Sequence, residues 1–197
     1  MKIMFISDIH GIKNNLDKIR KKYHELSCDK LVVLGDLYYI GPRNKIHNDY
    51  DIQYVKSFLE SFKDDLICIR GNCDSDVDIM VSDFPIVSEL SYISVDNNDI
   101  YLTHGHIYNE NNWNKKHSIL IYGHLHIPFI KEHNNNLFIN PGSISLPKEN
   151  NNPTYLIYDN NTFTIYDIND KKIEIIKAQT SLSILLQKNN KKEMIMD

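Results

Sequence analysis

Short apolar runs alternate with amphipathic stretches through the first half of the chain. Residues 3–6, 31–34 and 66–69 are apolar and rich in β-branched side chains, a pattern that predicts buried strands. Between these runs, residues 14–23 and 52–62 carry apolar side chains at helical spacing, which predicts two helices. Strands that are apolar throughout and alternate with helices are typical of parallel sheets, so this half predicts a parallel sheet with helices on both faces.

The pattern changes after residue 85, where short strand-like runs follow one another. Several of these runs flank turns rich in Asn and Asp, which is typical of hairpins. The predicted strands are 86–95, 100–103, 119–122, 128–132, 137–139, 155–158 and 163–168. This half therefore predicts a second, mostly antiparallel sheet, and the chain as a whole predicts a two-sheet α/β sandwich.

The chain has 197 residues, which favours one domain; we expect it over residues 1–178, followed by a segment at 179–197 whose end is loosely ordered. The formal net charge of −4 disfavours stable binding of nucleic acid or of an anionic membrane surface. No signal-peptide pattern is present, and no apolar run reaches the roughly 18–20 residues of a membrane span. Cys28, Cys68 and Cys73 form no C-x-x-C pair, and their odd number suits a reducing, cytoplasmic environment.

Many predicted strands end at a side chain that can bind a metal ion. Because ligands of open α/β sheets bind outside the carboxyl ends of the strands, we expect these side chains to converge. The set comprises Asp8, His10, Asp36, Asn72, His104, His124 and His126. In D-x-H and H-x-H the two ligands are two residues apart, so an extended segment would point both to the same side. Glycines before several of these ligands let the backbone turn sharply and approach the ions closely.

Seven ligands exceed what one ion needs and suit two ions that share a carboxylate. Carboxylate, amide and imidazole groups without thiolate favour Mn²⁺, Fe²⁺, Zn²⁺ or similar ions. Two divalent ions, a bridging hydroxide and the carboxylates of Asp8 and Asp36 leave a charge of about +1, which attracts phosphate in an otherwise acidic protein. Such a pair of ions lowers the pKa of a bridging water and holds phosphoryl oxygens during in-line attack.

The motifs D-x-H, G-D, G-N-x-D, H-G-H and G-H-x-H occur in this order between residues 2 and 147. Their order resembles the signature of calcineurin-like metallophosphoesterases. Residues 41–44, 70–75 and 140–143 are more narrowly similar to the small bacterial YfcE-type phosphodiesterases. The resemblance implies the two-sheet αββα sandwich of that family. It also implies an enzyme that hydrolyses phosphate diesters with a hydroxide bridging two divalent metal ions.

The resemblance implies a ligand set for each ion. The first ion would be held by Asp8, His10, Asp36 and His126. The second would be held by Asp36, Asn72, His104 and His124, so that Asp36 bridges the two ions. The expected catalytic residues are Asp36, Asn72 and His104, and the expected substrate-binding residues are Arg43, Cys73 and His106. Mn²⁺ is the expected metal, with Zn²⁺, Fe²⁺ and Ni²⁺ as alternatives.

Four of the candidate residues keep an alternative role. Arg43 lies in the polar segment 38–50 and is either a phosphate contact or a solvated loop arginine. His106 either faces the site, or supports it from behind or lies at the surface. Asp74 is expected to orient a ligand histidine, with an exposed turn residue as the alternative. Cys73 replaces a histidine that many members of the wider family carry, which leaves the proton donor for the leaving group open.

The expected partner is a small phosphate ester, and a homo-oligomer stays an open alternative. The competing function is a non-catalytic scaffold of the same fold, like the small retromer subunit. Such a scaffold has a degraded site, whereas all seven ligand positions are filled here. A nuclease on the same fold is a third reading, but it needs additional domains or a basic groove, and this acidic chain shows neither.

Overall fold

The computed structural model describes residues 1–87 and 89–178, and the predicted C-terminal segment 179–197 lies outside them. The elements in this part of the chain are β1 (Lys2–Ile6), α1 (Leu16–Glu25), β2 (Lys30–Val33), α2 (Ile52–Glu60), β3 (Leu66–Ile69), α3 (Asp76–Val81), β4 (Ile86–Val87), β5 (Leu90–Val95), β6 (Asn98–Thr103), β7 (Ile119–Tyr122), β8 (Pro128–His133), β9 (Asn136–Pro141), β10 (Thr154–Asp159), β11 (Thr162–Asp167) and β12 (Lys172–Lys177). The expectation of one domain over residues 1–178 stays a prediction.

The first sheet contains seven strands in the order β12-β11-β10-β1-β2-β3-β4. The strands from β1 to β4 run parallel, so their carboxyl ends meet at one edge. On the other side of β1, the strands β10, β11 and β12 extend the sheet in antiparallel pairs. The parallel half of this sheet is confirmed. The strands predicted at 155–158 and 163–168 belong to it as well, and not to the second sheet.

Side-chain alternation along the central strands divides the core into two layers. In β1, Met4 and Ile6 pack in the layer that contains α1 and α2, whereas Ile3 and Phe5 pack in the layer shared with the second sheet. The prediction of helices on both faces of the first sheet is therefore wrong. One face carries the helices, and the second sheet covers the other, which is why both sets of positions are apolar.

Local signals account for the helices. The buried face of α1 has helical spacing and consists of Leu16, Ile19 and Tyr23. The start of α2 is fixed by Asp51, whose carboxylate accepts a hydrogen bond from the backbone N–H of Tyr54 at 3.0 Å. The short α3 is absent from the prediction because none of its residues is buried, and a capping box of Ser75 and Asp78 fixes its start instead.

The second sheet has the order β5-β6-β7-β9-β8. Its central strands β6, β7 and β9 pair in parallel, and the edge strands β5 and β8 pair antiparallel, so the prediction of a mostly antiparallel sheet is wrong. The predicted strand 86–95 consists of two strands, β4 in the first sheet and β5 in the second, because an apolar run alone does not reveal a change of sheet. The two-sheet α/β sandwich itself is confirmed.

Candidate metal centre

The carboxyl ends of strands from both sheets carry the candidate ligands. Those that follow the first sheet's strands are Asp8, His10, Asp36 and Asn72, and those that follow β6 and β7 are His104, His124 and His126. Four of them, Asp8, His10, Asp36 and His104, have at most 3% of their surface exposed. The structure thus brings all seven predicted ligands to one region between the ends of the two sheets.

The first group of candidate ligand atoms comes from three segments of the chain. Nε2 of His126 lies 3.2 Å from Oδ1 of Asp8 and 3.3 Å from Nε2 of His10. Nε2 of His10 also lies 3.8 Å from Oδ1 of Asp8 and 3.6 Å from Oδ2 of Asp36. Two imidazole nitrogens and two carboxylate oxygens therefore surround one small volume.

The second group adjoins the first through Asp36. Nε2 of His104 lies 3.3 Å from Oδ2 of Asp36 and 3.0 Å from Oδ1 of Asn72. The ring of His124 packs edge-on against that of His104, with 5.1 Å between the ring centroids. Oδ2 of Asp36 thus lies within 3.6 Å of one imidazole nitrogen from each group, that of His10 and that of His104.

Five of the seven candidate ligands have left-handed backbone conformations, which L-residues rarely adopt. Their φ angles are 56° at Asp8, 52° at His10, 57° at Asp36, 65° at His124 and 62° at His126. The expectation that the D-x-H and H-x-H pairs lie on extended segments is therefore wrong, because these ligands project from tight turns. Each such residue costs roughly 1 kcal/mol or more, and this clustering indicates a functional constraint on the backbone.

Three of the histidines are oriented by backbone carbonyl groups. The acceptors are the carbonyls of Tyr39, Leu34 and Leu146, which lie 2.7, 2.6 and 2.6 Å from Nδ1 of His10, His104 and His126 respectively. Because a carbonyl oxygen only accepts, Nδ1 must carry the proton in each ring. The Nε2 lone pair of the neutral imidazole then faces the site, as a metal ligand requires.

Asp74 organises the turn that carries Asp36. Its Oδ2 accepts hydrogen bonds from the N–H groups of Asp36 at 2.8 Å and Gly71 at 2.7 Å. Its Oδ1 accepts from the N–H of Leu37 at 2.7 Å, and the whole side chain is buried. The expectation that Asp74 orients a ligand histidine is therefore wrong, since its carboxylate holds backbone N–H groups instead.

Two glycines allow chain segments to approach closely at the site. A Cβ atom at Gly123 would overlap Oγ of Ser7 and lie 2.7 Å from Oδ2 of Asp8, and a Cβ atom at Gly71 would overlap the carboxylate of Asp36. The close approach at Gly123 has a direct consequence. It lets the N–H of the next residue, His124, donate to Oδ2 of Asp8 at 3.0 Å.

The electrostatics of the candidate metal centre favour the binding of positively charged groups. Burial would raise the pKa of Asp36, but its contact with the His104 imidazole outweighs burial and holds the pKa well below its usual value. Burial also opposes ionisation of Asp8, yet His126 and His104 lower its pKa. Burial lowers the pKa of His104, but the Asp36 carboxylate raises it more strongly, to about 9. Both carboxylates are therefore ionised at neutral pH.

The donor set fits divalent metal ions. Oδ1 of Asp8 is buried and makes no hydrogen bond to any described residue, although an imidazole nitrogen from each of His10, His104 and His126 lies within 4.0 Å. A buried carboxylate oxygen without hydrogen bonds is costly unless a cation binds it. Oxygen and nitrogen donors of this kind suit Mn²⁺, Fe²⁺ and Zn²⁺, and the two groups sharing Asp36 suit two ions.

A cavity of about 710 Å³ opens beside the candidate ligands, and two of the three predicted substrate-binding residues line it. These are Arg43 and Cys73. Burial and the neighbouring Asp36 carboxylate raise the pKa of the Cys73 thiol to about 12, so it is a neutral thiol at neutral pH. The third residue, His106, does not line this cavity. Its ring centroid lies 5.4 Å from that of His104 and 6.2 Å from that of His124.

Some residues around the cavity carry no sequence signal. Lys148, which lines the wall together with Leu125, lies in an Asn-rich segment outside every motif. By contrast, the segment 140–143 is one of the motifs that resemble the YfcE-type enzymes, and two of its side chains donate hydrogen bonds to backbone carbonyls near the site. Ser143 donates through Oγ to the carbonyl of Asp8 at 2.8 Å, and Asn140 donates to the carbonyl of Gly123 at 2.7 Å.

Residues 1–162 match the sequence family described as the Calcineurin-like phosphoesterase superfamily domain. This range contains every candidate ligand. The chain belongs to the calcineurin-like phosphoesterase superfamily. The family, the fold and the class of enzyme predicted from the sequence are confirmed.

Individual relatives agree with this assignment. The chain is 34% identical to Phosphodiesterase YfcE of Escherichia coli K12 over 175 residues, which cover 88% of this chain and 95% of that protein. It is 27% identical to the Probable metallophosphoesterase YsnB of Bacillus subtilis over 195 residues, covering 92% of this chain and all of the relative. A solved structure of YfcE, described as a phosphoesterase from E. coli, matches with a TM-score of 0.86 and 32% identity, covering 90% of this chain and 100% of its own.

A more distant likeness bears on the scaffold alternative. The structure of Vacuolar Protein Sorting 29 from Cryptosporidium parvum matches with a TM-score of 0.59 and 19% identity, covering 89% of this chain and 95% of its own. At this identity the likeness shows a shared fold and nothing about activity. Separately, none of the helices within residues 1–87 and 89–178 has the length and apolar character needed to cross a membrane.

Proposed function

We propose that this protein is a two-metal phosphodiesterase that acts on small phosphate diesters. The observation that carries the proposal is the position of Asp36, whose Oδ2 lies 3.6 Å from Nε2 of His10 and 3.3 Å from Nε2 of His104. One carboxylate oxygen between two groups of donors is the arrangement expected of a ligand shared by two ions. The names of the YfcE and YsnB relatives agree with a phosphoesterase, and that of YfcE with a diester substrate.

The ligand sets follow the two groups of donors. The first ion is assigned to Asp8, His10, Asp36 and His126, and the second to Asp36, Asn72, His104 and His124. When bound, two such ions supply an activated water and positive charge for the phosphoryl oxygens. We propose Mn²⁺ as the native metal because the donors are oxygen and nitrogen atoms without thiolate, with Zn²⁺, Fe²⁺ and Ni²⁺ as alternatives.

The chain's own residues then bind and position the ester. Arg43 lines the cavity and has no acidic partner among the described residues, so its guanidinium is available to a phosphate oxygen. Cys73 contacts the substrate as a neutral thiol and is not the nucleophile, because burial and Asp36 raise its pKa to about 12. His106 packs against His104 and His124 and keeps their rings in position, which replaces a direct substrate contact as its primary role.

The setting of the enzyme is part of the same proposal. We assign it to the cytoplasm because Cys28, Cys68 and Cys73 are all unpaired, which suits a reducing compartment. The net charge of −4 favours a small anionic substrate that is attracted locally by bound metal, over a nucleic acid polymer. Homo-oligomer formation stays a prediction.

Metal reconstitution tests the proposal. Protein stripped of metal is supplied with Mn²⁺, Zn²⁺, Ni²⁺ or Mg²⁺ and assayed on bis(p-nitrophenyl) phosphate and p-nitrophenyl phosphate, while bound metal is counted by mass spectrometry. We expect two ions per chain at saturation, and faster diester than monoester hydrolysis with Mn²⁺. One ion per chain at saturation, or hydrolysis of monoesters alone, would contradict the proposal. Metal binding without hydrolysis of any ester would favour the scaffold alternative.

A further inference from the structure

When the candidate metal ligands are left aside, the side chains that line the cavity carry a net positive charge. Among the described residues that line it, the only charged side chains other than histidines are those of Asp36, Arg43 and Lys148, and Asp36 belongs to the proposed metal centre. The outer wall therefore contributes two cations and no carboxylate. This composition runs against that of the whole chain, which has 26 acidic residues and 22 Lys and Arg residues.

Neither of the two wall cations has a side-chain partner within residues 1–87 and 89–178. Many lysines of the described chain make ion pairs, for example Lys13 with Asp51 at 2.8 Å and Lys30 with Asp65 at 2.9 Å. Neither Arg43 nor Lys148 makes an ion pair or a side-chain hydrogen bond with any residue in the described ranges. A cavity that holds two unpaired cations is suited to a ligand that brings more than one negative charge.

The backbone of Lys148 is fixed to the metal centre. Its N–H donates to the carbonyl of the candidate ligand His126 at 3.1 Å. Its own carbonyl accepts from the backbone N–H of Asn151 at 3.1 Å and from the Asn151 side chain at 2.9 Å. The backbone of Lys148 therefore has a defined position next to His126. Its long side chain is exposed and can reach a ligand.

An apolar surface adjoins Lys148 inside the cavity. Leu146 and Pro147 directly precede it, and Leu125 and Ile127 flank His126; all four line the cavity. Arg43, in contrast, comes from the polar segment 38–50 that follows β2. The wall thus offers a path of carbon side chains next to the metal centre, with an ammonium group at Lys148.

We propose that Lys148 is a specificity-determining residue that binds a second anionic group, carried by one ester arm of the substrate. The inference rests on the proposed diesterase function and narrows its substrate class. A phosphodiester group has a single negative charge, which the metal centre and Arg43 can bind without Lys148. The substrate class is then a diester in which a short carbon chain links the phosphate to a carboxylate or a second phosphate.

Substrates that differ in one arm test this inference. Each is a p-nitrophenyl phosphodiester, and the second arm is pentyl, 3-carboxypropyl or 3-phosphonopropyl, so the leaving group stays constant. We expect the wild-type protein to favour both anionic arms in kcat/KM by about tenfold over pentyl, as for one charge-assisted hydrogen bond. A preference for only one anionic arm identifies whether carboxylate or phosphate is the group bound.

Two variants separate Lys148 from general electrostatics. Lys148→Met keeps the apolar stem, so it should abolish the preference for anionic arms and leave pentyl hydrolysis close to wild type. Lys45→Met is the matched control, because Lys45 lies in segment 38–50 without lining the cavity, and it should leave the preference intact. If Lys45→Met lowers the preference as much as Lys148→Met, the effect is one of net charge and the inference fails.

A binding measurement keeps the inference separate from the proposed function. Calorimetry compares methylphosphonate monoesters with pentyl and 3-carboxypropyl arms, which cannot be turned over by loss of p-nitrophenolate, on wild type and Lys148→Met. Tighter binding of the carboxypropyl compound that depends on Lys148 supports the inference even if diester hydrolysis fails. Equal binding of both arms overturns it, and efficient pentyl-diester hydrolysis at the same time leaves the diesterase proposal standing. A loss in Lys148→Met that is confined to p-nitrophenyl phosphate would show that Lys148 binds the reacting phosphate, which also overturns it.

Discussion

The cavity has a floor and a wall that are built in different ways. The floor consists of the seven candidate ligands, of which all but the buried Asp8 and His104 line the cavity. The wall consists of the other lining residues, among them Arg43, Leu125 and Lys148. On the floor, Asp8 and His104 are fully buried, and hydrogen bonds to backbone groups fix both side chains. On the wall, Arg43 and Lys148 are exposed and their side chains have no partner in the described part of the chain.

The difference separates chemistry from substrate choice. Five of the seven floor residues have left-handed backbone conformations, and hydrogen bonds connect the floor side chains to one another and to the backbone, so a change in one of them disturbs others. The side chains of Arg43 and Lys148 are exposed and make no hydrogen bond or ion pair with the described residues, so they can change without loss of the metal centre. Floor substitutions should therefore lower metal binding and turnover together, whereas wall substitutions should alter only the choice and affinity of substrate.

The largest effect is expected from Asp36→Asn. The substitution removes a buried charge between His10 and His104, and loss of a buried charge partner costs about 3–5 kcal/mol. Expressed as a rate, that cost is at least about 100-fold in kcat/KM. Bound metal, measured by mass spectrometry, should fall below two ions per chain. Asp49→Asn, at a half-exposed loop position away from the candidate ligands, is the control and should leave both quantities unchanged. Near-full activity of Asp36→Asn at saturating metal would show that Asp36 is not a required metal ligand.

A smaller loss of turnover is expected from Asp74→Ala, which replaces none of the seven candidate ligands. Three buried N–H groups, those of Asp36, Leu37 and Gly71, would lose their acceptor. We expect kcat/KM to fall about 10–100-fold, as for groups that orient metal ligands. The free energy of unfolding, measured by urea denaturation, should fall by about 3 kcal/mol or more.

The control for this prediction is Asp76→Ala. Asp76 is paired with Arg70 at 2.9 Å, but its side chain is 86% exposed. Its removal should leave stability and activity near those of the wild-type protein. If Asp74→Ala behaves like Asp76→Ala, the floor does not depend on its backbone hydrogen bonds, and the contrast with the wall disappears.

The sequence predicted the floor better than the wall for a physical reason. Metal ligands must be particular residue types at fixed places after strands, so the motifs around Asp8, Asp36 and His104 are visible in one sequence. The motif that contains Asp74 is visible in the sequence but its role is not, because the acceptor role of a carboxylate depends on which N–H groups the fold brings to it. Lys148 was missed because any lysine on a polar segment has the same local pattern, and only the fold brings it to the cavity.

The fold shows the same division. Local apolar patterns predicted the strands near 3–6, 31–34 and 66–69 and the two longer helices, because the burial of each element is visible in its own residues. Sheet membership depends on contacts between distant segments, which is why the predicted strand 86–95 spans two sheets and β10 and β11 were placed in the wrong one. The left-handed turns are equally invisible, since Asp and His adopt positive φ more often than most residues but still do so rarely.

A moderate and selective effect is expected from Arg43→Met. If Arg43 binds a phosphate oxygen, its loss should raise KM for bis(p-nitrophenyl) phosphate about tenfold. Two bound ions per chain should remain, in contrast to Asp36→Asn. Steady-state kinetics and metal analysis of the same samples check both statements, with Lys45→Met as the matched control. A loss of metal in Arg43→Met would show that the wall supports the floor, and an unchanged KM would make Arg43 a solvated loop residue.

The smallest effect is expected from Cys73→Ser, although Cys73 lies at the border between floor and wall. Its thiol is neutral at neutral pH, so it is neither a nucleophile nor an efficient proton donor, and a hydroxyl should replace it with little change in kcat/KM. A phospho-cysteine intermediate, if trapped, would contradict this assignment.

A second consequence concerns the leaving group. Without an efficient acid at this position, rates should depend steeply on leaving-group pKa across a series of aryl and alkyl diesters, in both the wild-type protein and Cys73→Ser. A flat dependence, with the chemical step shown to limit the rate, would reveal an acid elsewhere in the site, with His106 the first residue to substitute.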